Sequence, residues 1–229
     1  MSDRQIVFDD ATVEFGGVPA LAHVSVTLDE QRIAVIGSNG SGKSTFARLL
    51  NALTRPTSGT VRVHGLDTVR QQKELRRRVG FVFSNPDAQI IMPTVAEDVA
   101  YSLRGSDLSK AERAATVEAA LQEFGLAELR DAPAHLLSGG QKQLLSLCAV
   151  LVSGPSLVVA DEPTALLDAV NSRRMERFLL DEMDQQLVLV THDLRLAARC
   201  DIAIRFEGGG LVDRGEPGDV IARYEEAFA

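Results

Sequence analysis

The sequence predicts an α/β protein with a mixed β-sheet, antiparallel strands near its N-terminus and a helical insertion in the middle of the chain. Three observations carry this. The apolar run 32–36 (RIAVI) stops at a glycine-rich loop, and helical periodicity follows over about 43–53, the order that opens an α/β unit. Short apolar runs at 157–160 and 187–190 resume the same strand–helix rhythm late in the chain. Ahead of those late runs, residues from about 85 to 155 carry helix-start signals and little strand character.

Taken in order, residues 6–8, 12–15 and 24–28 are short, apolar or β-branched, and punctuated by Gly16, Gly17 and Pro19, so they read as strands. Residues 32–36 are a buried-strand run. Residues 60–63 and 79–83 are two further strands, and the basic segment between them, with Arg76, Arg77 and Arg78, reads as the solvated end of a helix. Thr94 with Glu97, and Ser109 with Glu112, have capping-box spacing before helical runs, while Pro93 and Pro133 mark loops. Residues 169–183 are helical between the two late strands. Residues 202–206 and 211–214 flank Gly208, Gly209 and Gly210 as a terminal hairpin, and Pro217 opens a last helix. One domain, 1–229, is expected, with a core formed by 1–84 and 156–229 and a helical subdomain over about 85–155.

Composition excludes some classes. The formal net charge is -8, where a nucleic-acid binder would more often be basic, because phosphate neutralisation supplies much of its affinity. The two cysteines, Cys148 and Cys200, lie among apolar neighbours with no disulfide or metal spacing, which fits a reducing compartment. The first ten residues lack the apolar run of a signal peptide. The longest apolar stretch, 144–160, is interrupted by Ser146, Ser153 and the Gly154–Pro155 break and falls short of the ~20 residues that span a bilayer. A soluble chain able to dock on a membrane partner is expected.

Gly37, Ser38, Asn39, Gly40, Ser41, Gly42, Lys43 and Ser44 match the P-loop pattern G-x-x-x-x-G-K-[ST]. Its glycines let successive N–H groups point at one anion, and the helix that follows adds its positive dipole end. Lys43 is expected on the β- and γ-phosphates of ATP, Ser44 on Mg²⁺, with Thr45 beside them. The strand 157–160 ends in Asp161 and Glu162; Asp161 is the expected Mg²⁺ residue and Glu162 the general base that polarises water. Taken alone, two acids at a strand end read as solvated loop residues; the P-loop gives them a partner. Ser138, Gly139, Gly140 and Gln141 open an apolar helix. Ser138 and Gln141 have capping-box spacing, and the two glycines, costing about 1 kcal/mol each inside a helix, would leave amides open to a second anion.

With these residues assembled, the chain resembles the ABC ATPases: LSGGQ is their signature, and GSNGSGKS, LVVADEPT and THD follow in that family's order over essentially the whole chain. The resemblance implies a P-loop NTPase (RecA-like) core and two ATPase chains stacked head to tail. ATP would then lie between the P-loop of one and Ser138–Gln141 of the other. It also implies that Phe15 stacks on adenine, that His192 is the switch histidine beside the γ-phosphate, and that Asp168 lies in the loop crossing the dimer seam. One position departs. Ser84 stands where the family usually has a glutamine that contacts Mg²⁺ and links the core to the helical insertion. Serine is too short for that reach, which leaves Asn85 or a bridging water.

The segment FSNPDAQIIMPTVAEDVAYSL is similar to the ATPase of energy-coupling-factor (ECF) importers, with Gln89, Glu97 and Asp98 at matching positions. Residues 90–93 and the short length lean towards biotin uptake, with cobalt or nickel second. The resemblance implies a second ATPase (a copy or a paralogue), an integral membrane scaffold and a substrate-binding membrane protein, with the chain peripheral on the cytoplasmic face and no nucleic acid bound. Other readings stay open at this point. They are an amino-acid importer ATPase, a soluble ABC ATPase in cofactor assembly or another non-transport role, and a non-hydrolysing nucleotide switch suggested by Ser84.

Overall fold

The computed structural model describes residues 4–227. The first part of the chain runs β1 (Ile6–Phe15), β2 (Val18–Leu28), β3 (Arg32–Gly37), α1 (Lys43–Leu50), β4 (Ser58–Val63), β5 (Leu66–Asp67), α2 (Gln72–Arg78) and β6 (Val79–Val82). Helices α3 (Val95–Ser102), α4 (Lys110–Glu123) and α5 (Gly139–Leu151) follow. The chain then continues through β7 (Leu157–Asp161), α6 (Ala169–Arg177), β8 (Gln186–Val190), α7 (Leu194–Ala197), β9 (Ile202–Glu207), β10 (Gly210–Gly215) and α8 (Pro217–Glu226).

Two sheets form. The antiparallel one has the order β2-β1-β4-β5; the other has the order β10-β9-β3-β8-β7-β6 and is parallel where β3, β7, β8 and β9 pair, with β10 antiparallel at its edge. The α/β class with antiparallel N-terminal strands is thus the one observed. Where sequence suggests separate strands at 6–8 and 12–15, a single irregular strand runs through. Asp10 takes a positive φ of 49° and the register shifts around it, which bends β1 without ending it. A short polar side chain tolerates that conformation better than most. The helical run expected over 169–183 ends as an α-helix at Arg177 and continues as a π-helical stretch, Phe178–Glu182.

The chain divides into two compact units. The first comprises residues 1–81, 156–162 and 182–229; the second comprises 82–155 and 163–181. In the first, Ile33, Ala34, Val35 and Ile36 of β3 are all fully buried, as expected for a strand covered on both faces. Phe46 of α1 stacks on Phe8 with ring centroids 4.4 Å apart and lies 5.1 Å from Phe206. This anchors α1, and with it the loop before it, against both sheets. Burying one such ring contributes about 1.5–3 kcal/mol.

In the second unit all three capping boxes read from sequence are formed, at Thr94, Ser109 and Ser138. Residues 163–181, expected with the core, group here instead. Phe178 stacks on Phe124 at 4.4 Å, and Arg174 Nη2 donates to Phe124 O at 2.5 Å. No helix among the described residues is long and apolar enough to cross a membrane.

Candidate active site

β3 ends at Gly37, and the loop 38–42 delivers the chain to α1 at Lys43. Gly42 precedes the helix with φ +105°; a Cβ there would fall 2.7 Å from Ala20 O and 2.8 Å from Leu21 Cδ2, so the position admits only glycine. The Lys43 ammonium curls back over the loop and donates to Gly37 O and Ser38 O, both at 2.8 Å. Burial holds its pKa below the ordinary lysine value, with Glu162 and Asp161 opposing that shift. At the end of β7, Asp161 Oδ1 accepts from Ser44 Oγ at 3.1 Å. Burial raises the Asp161 carboxyl above the usual carboxylate range, and the Ser44 hydrogen bond pulls it partly back.

Glu162 follows in a left-handed conformation, φ 52°, uncommon for a residue with a side chain. The register of β7 against β8 holds it there: Glu162 N donates to Val190 O at 2.9 Å. Its Oε2 lies 2.7 Å from His192 Nδ1. The glutamate side chain is 19% exposed and the imidazole 68%, so the pair opens to solvent through the histidine. A cleft of about 230 Å³ is lined by Asn39, Gly40, Lys43, Ser44, Thr45 and Glu162, with Ala20 closing one side. Sequence and structure thus bring the P-loop, Asp161, Glu162 and His192 into one site within the first unit.

These residues fit a magnesium-bound triphosphate. Ser44 and Asp161 present hard oxygen donors, which suit Mg²⁺. The buried Ser41 hydroxyl has no hydrogen-bond partner among the described residues, an open polar group beside the loop. No cluster of three or more His, Cys, Asp or Glu residues among those described could hold a metal. A Mg²⁺ ion here would therefore take most of its ligands from phosphate and water.

Phe15, at the end of β1, is 58% exposed, unlike a core phenylalanine. In the second unit, Ser138 Oγ accepts from Gln141 N at 3.3 Å, and Gln141 Oε1 accepts from Ser138 N at 2.9 Å. A Cβ on Gly139 would come no nearer to another part of the fold than 4.0 Å, from Leu166 O, whereas one on Gly140 would fall 2.2 Å from Asn171 Cγ. Openness therefore applies to Gly139; Gly140 has a packing reason of its own. Asp168 N-caps α6, accepting from Asn171 N at 2.8 Å and Val170 N at 3.0 Å, and these bonds hold its carboxyl low.

Ser84 is exposed. Asn85, the suggested substitute for the missing glutamine, is committed elsewhere: its Oδ1 accepts from Asp87 N at 3.0 Å and caps the 3₁₀ turn Pro86–Ala88. Glu97 serves the capping box of α3. Buried Asp98 accepts from Ile91 N and Met92 N, which shapes the loop before that helix. Two residues go unremarked by sequence alone: Ala20 at the cleft, and Gln143, which is 1% exposed on α5. A glutamine one turn before Leu147 on the buried side of an otherwise apolar helix is the signal that points to the second.

Comparison with known proteins decides the family. The ABC transporter family model matches residues 21–165. The chain belongs to the ABC transporter family. It is 50% identical over 208 residues to a putative ABC transporter ATP-binding protein of Deinococcus radiodurans, covering 91% of this chain and 92% of that protein. It is 44% identical over 224 residues to the biotin transport ATP-binding protein BioM of Rhizobium etli, covering 98% and 99%. An energy-coupling factor transporter ATP-binding protein of Symbiobacterium thermophilum is 42% identical over 225 residues, covering 93% of this chain and 78% of that protein. Among solved structures, CbiO1 of Clostridium perfringens, part of the ABC transporter complex CbiONQ, superposes with a TM-score of 0.85 at 29% identity, covering 98% of this chain and 93% of that chain. This ABC chain is accordingly an ATP-binding subunit and an ATPase, and its resemblance to ECF-type subunits holds over nearly its full length.

Proposed function

We propose that this ABC ATPase drives an ECF-type importer for biotin, working as a pair and peripheral to separate membrane proteins that hold the vitamin. The observation that carries the hydrolytic part is the 2.7 Å pairing of His192 with Glu162, which lines the P-loop cleft. Lys43 neutralises the β- and γ-phosphates, Gly37–Ser44 cradle them with backbone N–H groups, and Phe15 stacks on adenine. Mg²⁺ held by Ser44 and Asp161 would offset phosphate charge. Glu162 accepts the proton of the attacking water, and His192 holds the glutamate carboxylate in place. Ser138, Gly139, Gly140 and Gln141 of a second chain complete each nucleotide site, with Asp168 at the seam. The loop carrying Ser84, Asn85 and Gln89 faces the membrane scaffold. The 44% identity to BioM across 98% of the chain supports biotin as the cargo.

Glu162→Gln tests this reading. The variant should bind ATP with unchanged affinity, lose hydrolysis by about 10²–10⁴-fold and elute as a dimer with ATP in size-exclusion chromatography. Cells carrying the wild-type chain and its membrane partners should accumulate labelled biotin, and cells with the variant should not. Normal turnover would remove Glu162 from its role; biotin uptake indifferent to the variant would remove the cargo.

A further inference from the structure

Phe83, the residue that leads β6 into the Ser84 loop, has both backbone polar groups held by glutamine side chains. Gln89 Oε1 accepts from Phe83 N at 3.2 Å, and Gln143 Nε2 donates to Phe83 O at 2.9 Å. The two glutamines arrive from opposite sides. Gln89 closes the loop on itself and reaches on to α5, where its Nε2 donates to Ser146 O at 3.2 Å. Gln143 belongs to α5 and is 1% exposed. A third link joins the same elements: Lys142 Nζ lies 2.7 Å from Asp87 Oδ1. Positions 142, 143 and 146 are successive points on the first two turns of the helix that Ser138 caps.

We propose that Gln143 and Gln89 are positioning residues that clamp the 83–89 loop to the start of α5, so that loop and helix end move as one body. A buried amide is held to this arrangement because releasing it gives up a 2.9 Å hydrogen bond in a place shielded from water. The clamp makes the linkage through residues 89 and 143 and leaves the side chain at 84 out of it, which accommodates serine there. Its functional meaning rests on the reading given above: if Ser138–Gln141 meets nucleotide and the loop meets the membrane partner, a rigid link carries one event to the other.

The test uses the full chain and two variants, Gln143→Met, which keeps the length and removes the donor, and Gln89→Met, at a half-buried loop position where folding is not at risk. Without nucleotide, hydrogen exchange followed by mass spectrometry should quicken about tenfold over residues 83–89 in each variant, with α4 unchanged as a control for global opening. In the double variant the acceleration should not exceed that of the larger single change, because the two bonds share one residue. ATP hydrolysis should fall about tenfold in kcat with KM for ATP within roughly twofold, since neither side chain lines the P-loop cleft. Exchange over 83–89 equal to wild type in both variants would overturn the clamp. Faster exchange with kcat and KM both unchanged would reduce it to a structural bond and overturn the positioning role. A wild-type chain with no turnover counts against the ATPase reading instead, and the exchange result still decides the clamp.

Discussion

Asp161 illustrates what the site asks of single residues. It is 7% exposed, it accepts a hydrogen bond from the Ser44 hydroxyl, and burial holds its carboxyl above the usual range. A carboxyl whose folded pKa is raised binds its proton more tightly in the native state than in the unfolded chain. Its contribution to stability is therefore greatest below the unfolded value and is lost as pH rises through the folded one. At neutral pH the charge is a net cost to the nucleotide-free protein. Asp161→Asn should accordingly raise the melting temperature of that form, by about 2–4 °C for each kcal/mol relieved, while abolishing Mg²⁺-dependent hydrolysis. A lower melting temperature would mean that the Ser44 bond outweighs burial. The thiols show the same physics without a function: Cys148 and Cys200 are both buried and pushed up to about 12, so they are neutral at physiological pH.

Helix starts show how two adjacent glycines can answer to different constraints. Ser138 and Gln141 close a capping box that would begin any helix, yet the next residues are two glycines with different neighbourhoods. Gly140 lies against Asn171, and Asn171 Nδ2 is pinned 3.1 Å from both carboxylate oxygens of Asp168. A side chain at 140 therefore cannot push Asn171 aside without breaking the cap of α6. Gly140→Ala should destabilise the protein by about 1–3 kcal/mol in urea unfolding. In an Asn171→Ala background the same change should be neutral, or stabilising by up to about 1 kcal/mol. Equal cost in both backgrounds would show that the clash is not the reason for the glycine.

At the scale of the molecule, the residues proposed to meet nucleotide are divided. The P-loop, Asp161, Glu162 and His192 belong to the first unit, and the Ser138 helix end and Asp168 to the second. On the proposed reading each nucleotide takes one part from each of two copies. Two variants damaged in opposite parts, Lys43→Ala and Ser138→Arg, should then rescue one another. Mixed one to one, half the pairs hold one of each, and one of the two sites in such a pair is intact, so turnover should return to roughly a quarter of wild type. Each variant alone should be inactive. A mixture no more active than its components would count against sites shared between copies.

What was legible in the sequence is local. Capping boxes, the glycine loop and its helix, and the apolar strand runs are written within a few consecutive residues, because backbone hydrogen bonding and side-chain period act over that distance. The P-loop, the acids closing β7 and the two glycines of the Ser138 helix were therefore identifiable from residue types and spacing, whereas His192 was singled out only by the family resemblance. What the tertiary structure decided are the pairs that the sheet order brings together from afar. Ser44 meets Asp161 across 117 residues, Glu162 meets His192 across 30, and Phe83 meets Gln143 across 60. No local signal assigns Gln143 to Phe83, whereas Asn85 is engaged locally, by the turn it caps two residues on. The Gln143 choice follows from which buried polar groups are left to satisfy once the strands and helices have packed.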